Sequence, residues 1–580
     1  MREKFLGYIK ENYLEILIIS TITLIAFILR LIALKNYGDL WLDELYSWYF
    51  ANQKTAFGTV FELLKQDLHM PVYFIILHFW MKIFGKSDVS MHLCTLALTL
   101  PLIPVSFYLM KNLFNKVTGY FTAIIFAINS FCIYYSLEVR FYGLVFVLTL
   151  ISAFYFVKML ENLDKKYVIG FIISHVLLLY TFSITPLLTF FYGIIGGAYL
   201  LENKKELFKE YCHNFLILIA AALPSVIFTI YNMIVMRVVN LCSFSKDIYV
   251  FDWKVITDIL ENYFTSENFQ IVTGYINTYR NIFDLISKSD YYFLFVFIPI
   301  LIGICGLIKS LISKNIKLYL FLLPSILFLI FEVLLGAIGV QTIMTKYTSI
   351  IYPVIICSAC YGLSLIKIRP LSVIIFAVLV VLNCSYFCIV KNNVFAIHRK
   401  GLSQLTEVMD TFVQPDDEDY ILIPYSGSKV MKYVPHGKFI QFNADDALLL
   451  KDSASRTFYF DRKFYKSLNR NNIKETLKYD IVEDVPFILY EVRLLDYYFD
   501  KMKKGQKFIL ISYRNSFTMP LIQNWDVLKE SANYENINMF AFLMSKITRD
   551  SIQLCEKYLK PVNTYTDEQG DYTIFVYEKQ

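Results

Sequence analysis

Charge is scarce in this chain. Asp, Glu, Lys and Arg supply 18% of its 580 residues, where soluble domains average about 25%, and 57% of the chain is hydrophobic. That balance excludes a wholly soluble enzyme and an intrinsically disordered chain. A broad basic face is missing too: the net charge is only +6, and it resides wholly in the first 390 residues, so no nucleic acid partner is expected. The ten cysteines contain no pair at metal-ligand spacing. Cys357 and Cys360 look like a redox pair but sit in the apolar run IIYPVIICSACYGL, where small buried hydrophobes are the better reading. No internal repeat or low-complexity stretch is visible. The first apolar run, Leu14 to Leu34, has spanning length and no small-residue cleavage site, so it reads as a span and not as a signal peptide.

Long apolar runs are what the chain does have. A span needs about 20 apolar residues. Eleven runs qualify or come close, near 14–34, 92–110, 117–135, 141–160, 167–183, 186–201, 214–236, 291–312, 317–338, 347–366 and 371–390. The run Pro71–Phe84 is short and holds His78 and Lys82, which suits a helix lying in the interface. Basic residues favour that choice. With 71–84 kept out of the count, 16 basic residues fall on the N-terminal side of the short connections, against two, Arg140 and Lys346, on the other. The positive-inside rule then places the N-terminus in the cytoplasm and residues 35–91 and 237–290 in external loops. Residues 1–390 form the membrane domain. Residues 391–580, with 26 basic and 26 acidic side chains, form a soluble domain outside the membrane. Its runs DYILIPY, PFILYEV, KFILISY and YTIFVYE alternate with helical patterns at Gly401–Val413 and Ile552–Leu559, which implies a small α/β domain.

Ionisable residues gather where these loops begin and end. Asp43 and Glu44 are adjacent acids among Trp41, Leu42, Leu45, Tyr46 and Trp48. Partial desolvation there would raise a carboxylate toward the range of a general base, while the bland alternative is a helix-start acid complementing the dipole. Asp67 and His69 precede Pro71 at the start of the interfacial helix, where His69 could orient Asp67, bind a phosphate, ligate a metal or merely cap the helix. Glu138, Arg140 and Tyr142 close the third span. Lys346 and Tyr347 sit in another short outer loop, and Arg30 lies near the outer end of the first span. Three cations and several carboxylates on one membrane face suit a reaction with a phosphate-bearing lipid leaving group.

The ordered set of Arg30, LWLDELYSW, DLHMPVYFIILHFWMKIFGKS and YYSLEVRFYGL resembles glycosyltransferase family 39, of the C-type (GT-C) membrane superfamily. That family includes relatives of the dolichyl-phosphate-mannose protein mannosyltransferases and of the aminoarabinose lipid A transferases. The chain departs from the family where His69-Met70-Pro71 replaces His-Pro-Pro and Lys346-Tyr347 replaces Arg-Tyr. The resemblance implies an α-helical polytopic membrane protein of GT-C fold, about 11 transmembrane helices, carrying an extracytoplasmic α/β domain. It implies an inverting transferase in the cell membrane that takes a sugar from a polyprenyl-phosphate donor. The acceptor is a hydroxyl on a lipid, a protein or an envelope polymer. Asp43 would be the base and Glu44 would orient the acceptor or a cation. Arg140, Lys346 and Arg30 would hold the donor phosphate, with Asp67, His69, Glu138, Tyr142 and Tyr347 in support. A divalent cation is left open, since two carboxylates and a histidine do not make a metal site. The other class considered is a lipid-linked-sugar transporter or flippase, which should carry polar residues near mid-span or inverted repeats. Here the ionisable residues sit at outer span ends.

Overall fold

A computed structural model describes residues 2–66, 69–239, 254–265, 297–337, 343–390, 402–412, 418–423, 431–434, 438–441, 495, 498–513, 539–566 and 572–580. The chain divides into two compact units. The first comprises residues 1–38, 50–230 and 251–398; the second comprises 39–49, 231–250 and 399–580. The short segment carrying Asp43 and Glu44 thus groups with the C-terminal residues and not with the spans on either side of it in sequence.

The first unit is helical because its runs are apolar on nearly every face, as lipid requires. Among the described residues, seven helices are long and apolar enough to cross a membrane, or eight if one bent pair counts as a single span. Seven of the eleven expected runs coincide with those seven helices, and the 117–135 run is the bent pair Lys116–Ile128 and Ser130–Leu137. The other three runs also form helices, at Lys165–Leu179, Thr185–Asn203 and Ile298–Ile312. The helix Val72–Phe84 has 13 residues. At 1.5 Å per residue it reaches about 20 Å, short of a hydrocarbon core of about 30 Å. Its outward side chains Phe79, Ile83 and Phe84 are exposed and apolar, which fits contact with lipid.

Close packing fixes the interior. A Cβ on Gly362 would lie 1.7 Å from the carbonyl oxygen of Gly306, so the Ile298–Ile312 and Tyr352–Ser364 helices touch through their backbones. Small residues permit that approach, and dispersion contacts then hold the helices where no hydrophobic driving force acts.

The second unit is built on a sheet of order β2-β1-β3-β5-β4. Its strands are β1 (Tyr420–Ile423), β2 (Lys438–Gln441), β3 (Lys507–Tyr513), β4 (Lys560–Thr566) and β5 (Tyr572–Glu578). β1 pairs in parallel with both β2 and β3, and β5 runs antiparallel to β3 and β4. Leu422, Phe508, Leu510 and Tyr577 from the strands pack with Leu554, Cys555 and Leu559 from the Met539–Tyr558 helix and its end. The expected strands DYILIPY, KFILISY and YTIFVYE are β1, β3 and β5 or contain them; PFILYEV lies outside the described residues. The expected helix at 401–413 is Leu402–Phe412, and the one at 552–559 is the end of a longer helix.

Candidate active site

The bent span organises the expected site residues of the first unit. Its halves, Lys116–Ile128 and Ser130–Leu137, meet at 60°. Asn129 causes the break: its side chain accepts from Cys132 N–H at 3.1 Å and so starts a new helix where the old one would have continued. A break at this depth frees backbone groups that lipid cannot satisfy. Arg30 takes the freed carbonyls. Its Nη1 donates to Ala127 O and Ala26 O, each at 3.0 Å, and its Nη2 donates to Phe126 O at 2.9 Å and to Cys132 Sγ. Its Nε donates to Ser136 Oγ at 2.8 Å. The freed N–H of Phe131 donates to Thr265 O at 3.1 Å.

The sequence expectation put Arg30 at the donor phosphate; in the structure its guanidinium is engaged at the bend. All five of its N–H donors are spent inside the protein, and the side chain is 1% exposed. It pins the bend. Arg30→Met should unpair two buried carbonyls at about 1–3 kcal/mol each, and so lower the melting temperature of the purified protein by several degrees. An unshifted melting temperature together with lost donor binding would return Arg30 to the phosphate site.

Beyond the bend, the Ser130–Leu137 helix delivers Glu138, Val139 and Arg140 in a tight turn, Arg140 N–H donating to Glu138 O at 2.6 Å. Glu138 and Arg140 are both buried, at 3% exposure. The Nη2 of Arg140 donates to His69 Nε2 at 2.9 Å. An accepting Nε2 puts the proton of a neutral imidazole on Nδ1. His69 also lies against Phe141, ring centroids 5.1 Å apart, and the Arg140 guanidinium stands 5.3 Å from the same ring. The Tyr142 hydroxyl is buried, and Lys346, Arg140, Glu138 and Tyr347 all lie within electrostatic reach of it. Lys346 is half-buried over the ring of Tyr347, 5.5 Å from its centroid. Five of the expected residues, Glu138, Arg140, Tyr142, Lys346 and Tyr347, thus gather in one place, with His69 joined to them through Arg140. This cluster can present two cations to an anion in a setting of low dielectric.

Asp43 and Glu44 open the Leu42–Ala51 helix in the second unit. Glu44 is fully buried, and its Oε2 accepts the Trp41 N–H at 3.1 Å, the reciprocal arm of a capping box. The helix-start reading therefore describes Glu44. Asp43, one position earlier, is half-buried. The segment is anchored just upstream, where Leu40 N–H donates to the Tyr433 hydroxyl at 3.0 Å. Residues 399–580 thereby supply a fixed point beside the acid pair, a role invisible in sequence. Asp67 lies outside the described residues. Among the described residues no three His, Cys, Asp or Glu side chains gather as metal ligands.

Sequence reasoning missed Asn129. It also missed Tyr263, whose phenol donates to Thr348 O at 2.6 Å, two residues from Lys346. The signal for Asn129 was present: Asn-Ser is a helix-start pair in the middle of an apolar run.

Residues 68–230 match the family model of dolichyl-phosphate-mannose-protein mannosyltransferase. The chain is also similar to the crystal structure of ArnT from Cupriavidus metallidurans bound to undecaprenyl phosphate. That similarity has a TM-score of 0.52 at 11% identity over 96% of this chain and 97% of that one. For the apo state of the same protein the values are 0.52, 10%, 96% and 97%. The chain thus shares the fold of that ArnT structure, and its apolar helices make it a multi-pass membrane protein. A weaker likeness is to the Archaeoglobus fulgidus oligosaccharyltransferase in complex with Zn and sulfate, with a TM-score of 0.45 at 12% identity over 96% of this chain and 73% of that one. No curated protein matches the chain in sequence.

Proposed function

We propose that this protein is an inverting glycosyltransferase that moves a sugar from a polyprenyl phosphate to an acceptor hydroxyl at the outer face of the membrane. The observation that carries the reading is the pair of cations, Arg140 and Lys346, gathered about the buried Tyr142 hydroxyl at the end of a broken span. A GT-C relative that binds undecaprenyl phosphate supports a donor of this class. Asp43 removes the proton of the acceptor hydroxyl as its oxygen attacks the anomeric carbon. The bond between that carbon and the phosphate oxygen breaks, and its electron pair leaves with the lipid phosphate. Arg140 and Lys346 hold the phosphate as its charge rises from one negative to two, and His69 orients the Arg140 fork. A single displacement with one base inverts the anomeric carbon.

Sidedness is part of this reading. The N-terminus lies in the cytoplasm, and the cation cluster faces the outer side of the membrane. In cells, an impermeant thiol reagent applied from outside should label a cysteine introduced at the exposed Lys86 and spare one near Asn115. The reverse pattern would put the cluster on the cytoplasmic side, away from the outer face. Membranes supplied with labelled polyprenyl-phosphate sugars should in turn yield labelled product from one donor class. Label that stays lipid-linked with every donor would contradict transfer.

A further inference from the structure

The helix Lys254–Phe264 lies in the second long loop, away from every motif that carries the family resemblance. Four hydrogen bonds tie its last turn to the two segments that bear the cations. Asn262 Nδ2 donates to Thr345 Oγ1 at 2.9 Å, and the Tyr263 hydroxyl donates to Thr348 O at 2.6 Å, so the pair brackets Lys346. On the other side, Asn129 Nδ2 donates to Tyr263 O at 3.3 Å and Phe131 N–H donates to Thr265 O at 3.1 Å. Asn129 and Phe131 begin the eight-residue helix that ends just before Glu138 and Arg140. Its far end is held independently, where His92 Nδ1 meets Leu137 O at 2.7 Å. The Tyr263 ring packs against Phe131 and Tyr352, each 5.3 Å away by centroids. Burial raises the Tyr263 phenol far above its ordinary range, so it remains a donor to Thr348 at any working pH.

We propose that this helix is the spacer that sets Arg140 and Lys346 relative to each other, with Asn262 and Tyr263 as positioning residues for the donor phosphate. The inference rests on the phosphate site proposed above. Two cations grip one phosphate well only at one separation, and both sit at helix ends: Lys346 in the first turn of the Thr345–Ser364 span, Arg140 in the turn between the Ser130–Leu137 and Tyr142–Asn162 helices. Joining both helix ends to the same four-residue stretch, 262–265, ties one cation's position to the other's. Asn262 and Tyr263 touch no substrate in this scheme; they act through Lys346 and Arg140.

The test is the affinity of undecaprenyl phosphate for the full-length protein in nanodiscs. Asn262→Ala and Tyr263→Phe should each weaken binding roughly tenfold, the lower end of what one charge-assisted contact contributes. They should raise the donor KM with little change in kcat. In a Lys346→Gln background, Asn262→Ala should weaken binding no further, because the residue through which it acts is already gone. An equal further loss in that background would mean a general structural effect and overturn the inference. Wild-type affinity in both helix variants, with Arg140→Gln and Lys346→Gln impaired, would also overturn it while leaving the phosphate site intact. Wild-type affinity in the two charge variants would instead remove the phosphate site itself, and the spacer with it. Should Tyr263→Phe fail to fold, Thr345→Val breaks the Asn262 bond from its other end and carries the same prediction.

Discussion

An Asp43→Asn protein is expected to transfer sugar roughly 10²–10⁴-fold more slowly than the wild type while binding donor nearly as well, the range for loss of a positioned proton acceptor. Asparagine keeps the size of the side chain and its hydrogen-bonding oxygen, and removes only the basicity. The contrast with Glu44 gives the experiment its force. Both acids sit in the same aromatic segment, so sequence distinguishes them only through the family resemblance. In the structure they differ physically. Glu44 is fully buried and occupied with the Trp41 N–H at the start of the helix, whereas Asp43 keeps partial exposure. A Glu44→Gln side chain retains an oxygen for that cap, so its turnover should fall far less. A cap is worth typically about 1 kcal/mol, so Glu44→Ala should show up mainly as lost stability. Equal losses in Asp43→Asn and Glu44→Gln would remove the distinction, and near-normal turnover in Asp43→Asn would overturn the assignment of the base.

Neutralising either Arg140 or Lys346 should have the next largest effect. Arg140→Gln and Lys346→Gln each remove one charged partner of the donor phosphate, worth about 1.5–3 kcal/mol, or roughly 10- to 150-fold in affinity. The Arg140 variant should be the more severe. That side chain is 3% exposed and also loses its bond to His69, so a polar remnant is left in a dry place. Titration with undecaprenyl phosphate measures both, and raised salt should weaken wild-type binding less than it would for an exposed pair. Undiminished affinity in both variants would place the phosphate elsewhere.

How much of this was legible in the sequence follows from the range of each interaction. Spans announce themselves locally through runs of apolar residues, and every one of the eleven runs corresponds to a helix. Sheet strands with buried faces, such as β3 and β5, were equally plain. β4 was not: its residues KPVNTYT are almost wholly exposed, so it carries no alternation to read, and only its pairing with β5 makes it a strand. β2 is four residues long and gives too little pattern. For the site, residue types and motif order brought out Arg140, Lys346, His69 and Tyr142. Arg30 shows what sequence cannot separate, because a cation near a span end looks the same whether it faces a ligand or two broken-helix carbonyls. Which of these it does depends on a bend 97 residues away. The Tyr433–Leu40 bond spans 393 positions, and nothing local in either segment signals it.

Transfer itself can be read most directly in proteoliposomes that hold only the purified protein, a labelled polyprenyl-phosphate sugar and an acceptor-rich membrane extract. Catalysis predicts that free polyprenyl phosphate appears in step with acid-stable sugar product, that the product's anomeric configuration is opposite to the donor's, and that Asp43→Asn abolishes both signals. A donor that crosses the bilayer intact, with no free polyprenyl phosphate released and no difference between wild type and Asp43→Asn, would contradict it and identify a transporter instead.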